Sequence, residues 1–205
     1  MPTDISPSAY FSFITAALSI VLGLGIVTCL KGVGDTLINR GRVRPYWVHG
    51  VWVGQTLLTQ IQCFWTLLQN RDIIVELTFF EYLFFWMYPL ALYLLSVMLF
   101  PDIGSDDEVD LRAHYYENHR WMFAVATVPP LLFLAFHLIY LDLPVISLQN
   151  AFPTLFAGIT ATLAITERSR VHAVLTPVLP VLFLVVIGLY RLQASGTAGQ
   201  LALAP

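Results

Sequence analysis

YFSFITAALSIVLGLGIVTCLKGVGD, residues 10–35, meets no charged side chain before Lys31. Crossing a bilayer's ~30 Å hydrocarbon core takes about 20 apolar residues in a helix, and this stretch supplies them. Read outward from it, the chain repeats the pattern. Apolar runs of similar length occupy 9–30, 46–68, 78–100, 120–141, 150–166 and 171–192. The predicted fold is all-α, a polytopic six-transmembrane-helix bundle.

Composition agrees. Of the 205 residues, 58% are hydrophobic and 11% charged, and the mean hydropathy is +0.74. A soluble chain of this length has too little interior for so much apolar surface. Short links leave room for a single transmembrane domain over 1–192, and the Ala-, Gly- and Gln-rich end, 193–205, reads as a flexible tail. The opening Met1-Pro2-Thr3-Asp4 has no basic stretch, so the first span is expected to be retained rather than cleaved as a signal peptide. Cys29 and Cys63 lie in apolar runs and read as small core hydrophobes, not a disulfide.

Charge sets the predicted orientation. If spans alternate, one face receives Lys31, Arg40, Arg42, Arg44, Arg112, Arg120, Arg168 and Arg170, and the other only Arg71 and Arg191. The positive-inside rule makes the richer face cytoplasmic, with both termini outside; the acids at 102–110 weigh little in it. The net charge is −3, and no basic stripe interleaved with aromatics appears, so no nucleic-acid partner is expected.

The second span is the unusual one. Gln55, Thr59, Gln62, Thr66 and Gln69 recur at spacings of four and three, which is one helical face. Lipid cannot satisfy amides, so this face must meet protein or water, as interhelical glue or as the lining of a solute path. Small residues at Ser19 and Gly23, and at Gly25 and Cys29, offer a close-packing face on the first helix. Pro89, Pro129, Pro130, Pro177 and Pro180 interrupt the third, fourth and sixth spans. Glu81, among interfacial aromatics, is expected to reach the headgroups.

Ser105-Asp106-Asp107-Glu108 has the pattern of a capping box and predicts a short cytoplasmic helix from about 106 that bends into the fourth span. Asp110, His114 and Glu117 would share a face of it, as solvated charges rather than metal ligands. His137 reads as hydrogen-bonded structure. His49 and His172 fall near the same membrane face, a geometry compatible with bis-His haem ligation.

The segments LGLGIVTCLKGVGDTLINRGRVRPYWVHGVW (22–52) and DLRAHYYENHRWMF (110–123) resemble a widespread group of uncharacterised bacterial six-helix inner-membrane proteins. The resemblance implies a bacterial inner-membrane location and carries over no functional residue.

No nucleophile elbow, zinc-helix, phosphate-loop or dinucleotide motif is present, so the chain is read as a non-enzyme with no cofactor or metal. Three function classes remain. The leading one is a small-solute or ion permease or channel, resting on the polar face of the second span and the proline interruptions. The alternatives are a non-catalytic scaffold assembling with other membrane proteins or a second copy, and a haem-binding redox protein. The lipid bilayer is the common partner in all three. Reporter fusions at Asn39, Asp107 and Ser169 should read cytoplasmic, and fusions at Asn70 and the C-terminus periplasmic. A cytoplasmic signal from the C-terminus would overturn the orientation.

Overall fold

The computed structural model describes the backbone of residues 7–69, 78–104, 108–144 and 146–202. Six helices account for most of it: α1 (Pro7–Ile38), α2 (Trp47–Gln69), α3 (Phe79–Leu99), α4 (Leu111–Tyr140), α5 (Leu148–Ile165) and α6 (Ser169–Ala202). Four of them, over Phe11–Ile38, Phe79–Leu99, Leu111–Tyr140 and Ser169–Gly188, are long and apolar enough to cross a membrane. The α2 and α5 helices are not among these. Glutamines lower the hydropathy of α2, and α5 has 18 residues, just under the ~20 that span a bilayer. Large apolar side chains such as Val27, Leu30, Val181 and Leu184 are more than half exposed. Such a surface belongs in lipid, and the protein is a helical membrane protein.

Helix order in space only partly follows the links. Neighbouring α4 and α5 make the most extensive contact, α3 packs on both α1 and α4, and α2 lies against α1, α3 and α6. Between α1 and α2 the chain forms β1 (Val43–Arg44), and between α3 and α4 it forms β2 (Val109–Asp110). These two pair in parallel, Val43 opposite Val109 and Arg44 opposite Asp110. The Val109 amide donates to the Arg42 carbonyl at 3.0 Å, and Arg44 pairs with Glu108 at 3.1 Å. The Arg42 guanidinium adds bonds to Asn39 Oδ1 at 2.6 Å and to the Gly104 carbonyl at 3.5 Å. This clip fixes two links at one end of the bundle. Arg120 reaches Glu167 at 2.9 Å, which brings the α5–α6 link to the same end. That end is the one rich in Lys and Arg.

Two local expectations change. The separate helix before α4 is not confirmed: among the described residues Val109 and Asp110 are extended, and α4 runs from Leu111 as one helix. Strand pairing has taken the backbone groups a helix there would need. Asp110 is the cap of α4, its Oδ1 accepting from the amides of Arg112 and Ala113 at 2.8 and 3.3 Å. Ser105, Asp106 and Asp107 of the expected capping box lie outside the described residues. The capping box that forms is Thr78-Phe79-Phe80-Glu81 at the start of α3: Glu81 Oε2 accepts from the Thr78 amide at 2.7 Å, and Thr78 Oγ1 from the Glu81 amide at 3.4 Å. Glu81 therefore closes a helix end. At the other terminus, α6 is helical as far as Ala202.

The α1 seam also differs from expectation. Its buried stripe is Ile14, Leu18, Leu22, Gly25, Cys29 and Gly32, at spacings of four, four, three, four and three. Cys29 is fully buried and both cysteines are free. Gly23 faces open space, whereas a Cβ on Gly25 would lie 2.9 Å from the Gln60 amide oxygen and one on Gly32 would strike the Phe100 ring. Two helices approach here only because the side chain is hydrogen. Gly32→Ala should therefore destabilise the protein by about 1–3 kcal/mol, the usual penalty for overpacking, while Gly23→Ala should be neutral or slightly stabilising. Unfolding by denaturant in mixed micelles measures both, and a neutral Gly32→Ala would refute the contact.

Candidate functional site

In lipid-facing helices a hydroxyl can bond its own backbone, and most hydroxyls here do. Thr56, Thr59, Ser96 and Thr160 each donate to the carbonyl one turn back, at 2.8 to 3.0 Å. Amides cannot be silenced so locally. The glutamines of α2 therefore mark where polar capacity is left over.

A cavity of about 220 Å³ lies among α2, α3, α4, α5 and α6. One wall is the predicted polar face of α2. Gln55, Thr59, Gln62 and Thr66 all line it, joined by Thr56 and Cys63. Gln55 and Thr59 are buried, at 2% and 8% exposure, and Gln62 and Thr66 are half-buried. Gln69 is the last residue of α2, and its side chain lies outside the described residues. Gln60, off this face, is fully buried in the seam with α1 and α3 and donates to Ser96 Oγ at 2.6 Å.

The opposite walls carry Pro89 of α3, Pro129 and Pro130 of α4 and Pro153 of α5. A proline inside a helix deprives the carbonyl four residues earlier of its amide partner. Those carbonyls belong to Phe85, Val125, Ala126 and Gln149, and all but Val125 line the same cavity. The expected proline contribution of α6 is not found: Pro177 and Pro180 are absent from the lining, and α6 offers Phe183, Val186 and Ile187 instead. Pro153 on α5 takes that place. Most of the remaining wall is aromatic or aliphatic, and no Asp, Glu, Lys, Arg or His lines it.

Gln55 holds a definite orientation. The Thr59 hydroxyl hydrogen is committed to the Gln55 backbone carbonyl at 2.8 Å, so Thr59 Oγ1 can only accept from the Gln55 side chain. The group 3.2 Å away must be the amide nitrogen. The side-chain oxygen is thereby left buried without a partner. Gln62 Nε2 likewise donates to Thr66 Oγ1 at 3.3 Å.

A second polar group sits at the clipped end. His172, fully buried, faces the Thr166 carbonyl through Nε2 at 2.8 Å. A carbonyl only accepts, so Nε2 carries the hydrogen and Nδ1 accepts from the Tyr115 hydroxyl at 2.8 Å. Trp52 Nε1 donates to Thr176 Oγ1 at 3.1 Å beside them. His119 donates from Nδ1 to the Tyr116 carbonyl at 2.6 Å, and its Nε2 is buried with no partner.

These bonds bear on the haem reading. Both ring nitrogens of His172 are engaged, which leaves iron no lone pair, and His49 spends Nε2 on the Leu99 carbonyl at 2.6 Å. The pair is packing and polar satisfaction at a helix end. His137 Nδ1 bonds Asn150 Oδ1 at 2.6 Å, and Asn150 in turn donates to the Pro144 carbonyl, so that histidine pins the α4–α5 link. Asp110 caps α4, and His114 is held by the Met98 carbonyl at 3.1 Å and by Asn118.

Tyr115 and His119, four apart at the start of α4, went unnoticed in the sequence, although Tyr115, His119, Met122 and Ala126 show helical spacing there. Pro153 was likewise passed over, being one proline near a helix start. Tyr115→Phe should cost about 1–3 kcal/mol, because it strands a buried imidazole acceptor; chemical unfolding reads this, and an unchanged midpoint would refute the bond. Comparison with known proteins finds no family model, no curated protein and no solved structure that matches this chain.

Proposed function

We propose that the chain is a six-span protein of a bacterial inner membrane, with both termini outside, that passes a small solute through the cavity beside α2. The observation that supports it is the convergence of the glutamine–threonine face of α2 with prolines from three other helices on one cavity. Freed carbonyls and amides at membrane depth are tolerated only where protein or water covers them, and interrupted helices around a central site are the usual architecture of solute carriers. In this reading α2 and α5 complete the membrane crossing. Its favourable contacts come from protein on several sides, which spares it the hydropathy a lone span needs.

The absence of Asp, Glu, Lys, Arg and His from the lining among the described residues favours a neutral solute over an ion, since an ion would have no counter-charge to offset its desolvation. Gln62→Leu should lower solute flux into proteoliposomes several-fold while expression and thermal stability hold. Flux is followed by light scattering with a panel of small neutral metabolites. If the native protein passes none of them, transport fails, and assembly with other membrane proteins or a second copy becomes the surviving function.

A further inference from the structure

The clipped end carries a second space, separate from the cavity beside α2. It lies between the last turns of α1 and the end of α3, with a volume of about 380 Å³. A mismatch of lengths creates it. Gly32 brings α1 against the Phe100 ring, and past that crossing α1 continues to Ile38 while α3 stops at Leu99 and Phe100 is extended. The two segments part there, and Lys31, Asp35 and Asn39 line the gap together with Asp102 and Ile103.

Its charges are uneven. Lys31 Nζ donates to Asp35 Oδ2 at 2.8 Å, in a pair that stays exposed. Asp102 forms none of the ion pairs among the described residues and acts on Lys31 only electrostatically. Two carboxylates thus stand against one ammonium. The neutral polar groups are spent on α1 itself: Thr28 donates to the Leu24 carbonyl at 2.8 Å and Asn39 to the Asp35 carbonyl at 2.9 Å. What is left to offer is an acceptor at Asp102 and the remaining N–H groups of Lys31.

Depth decides what can reach the gap. Lys31 is the first charge after the apolar run of α1, and Asp102 the first after that of α3. Both walls therefore change from apolar to charged at one level, where hydrocarbon gives way to headgroups. Toward the bilayer centre, Leu24, one turn from Thr28, and Leu90, two turns from Val97, continue the same helix faces as exposed apolar surface.

We infer that this gap binds a phospholipid with a primary amine, of the phosphatidylethanolamine class, whose ammonium donates to Asp102, whose phosphate meets Lys31 and whose chains lie along α1 and α3. Charge complementarity selects it. A choline headgroup has the same two charges but no N–H to donate. A glycerol headgroup brings a third anion to two carboxylates and no cation.

Native mass spectrometry of the full chain, released from micelles with ethanolamine, choline or glycerol phospholipids of identical chains, reads the affinity for each. The ethanolamine lipid should bind about threefold to fivefold tighter than the choline lipid, the upper range for one exposed ion pair. Asp102→Asn should bring that ratio to about one and leave the glycerol lipid no weaker. Asp102 is exposed, so this variant should keep the fold. Glu167→Gln removes an acid from the same end by breaking the pair with Arg120, and should leave the ratio unchanged. Lys31→Gln should weaken the ethanolamine and choline lipids alike. Glycerophosphoethanolamine, the same headgroup without chains, should not displace the lipid at equal concentration.

Equal affinities for the ethanolamine and choline lipids in the native chain would overturn the inference. So would a ratio that survives Asp102→Asn or that falls equally in Glu167→Gln. Displacement by glycerophosphoethanolamine would overturn it too, by making the ligand a soluble phosphoamine. The lipid ratio is read without any flux, so it stands or falls separately from transport.

Discussion

Hydrocarbon makes no hydrogen bonds, and the arrangement of this chain follows from finding every polar group a partner without water. Threonine and serine hydroxyls turn back on their own helices. Histidines at the clipped end spend their N–H groups on carbonyls: Leu99 for His49, Tyr116 for His119 and Thr166 for His172. Each bond is worth only about 0.5–1.5 kcal/mol net. Leaving one unmade inside the bundle costs more, and that asymmetry selects the packing. The helices meet where polar groups can be paired, and the apolar side chains are free to face lipid because lipid demands nothing of them.

The cavity beside α2 is one place where satisfaction was not completed. Glutamines lower the hydropathy of a helix, and prolines remove amides from its neighbours; both work against a stable bundle. Gln55, Gln62 and the prolines of α3, α4 and α5 collect around one space, although Thr15 Oγ1, Gln60 Oε1, Trp86 Nε1 and His119 Nε2 are also buried without partners elsewhere. A concentration of such departures in one region points to a requirement other than stability. The clipped end shows the contrast. It is as rich in polar side chains as the cavity, yet its tyrosines, histidines and tryptophan are interlocked by rings and hydrogen bonds, with the single exception of His119 Nε2.

Helical class and the inward polar face of α2 were legible in the sequence because both rest on period and composition. Gln55, Thr59, Gln62 and Thr66 share a face by spacing alone, and an amide in lipid is costly wherever it sits. The seam of α1 was harder to read. Gly23 and Gly25 look alike in sequence, and only the direction of the neighbouring Gln60 and Phe100 distinguishes a packing glycine from an idle one. Caps were ambiguous for a related reason. Thr78–Glu81 and Ser105–Glu108 carry the same signature, and the second ends in Glu108, which with Val109 is drawn to Arg44 and Arg42 of a distant link. Long-range pairing of that kind leaves no periodic trace. The Tyr115–His172 bond, spanning 57 positions, is another instance.

The parallel clip has a consequence for how the protein is made. Arg44 and Glu108 are 64 residues apart, so α1 and α2 are synthesised well before the partner strand exists. At about 5–20 residues per second of synthesis, the wait is roughly 3–13 s. Throughout that interval Arg44 waits for the Glu108 carboxylate, while Arg42 already has Asn39 Oδ1 on its own link. The order of synthesis thus makes the α1–α2 link the standing half of the latch and the α3–α4 link the half that arrives to close it.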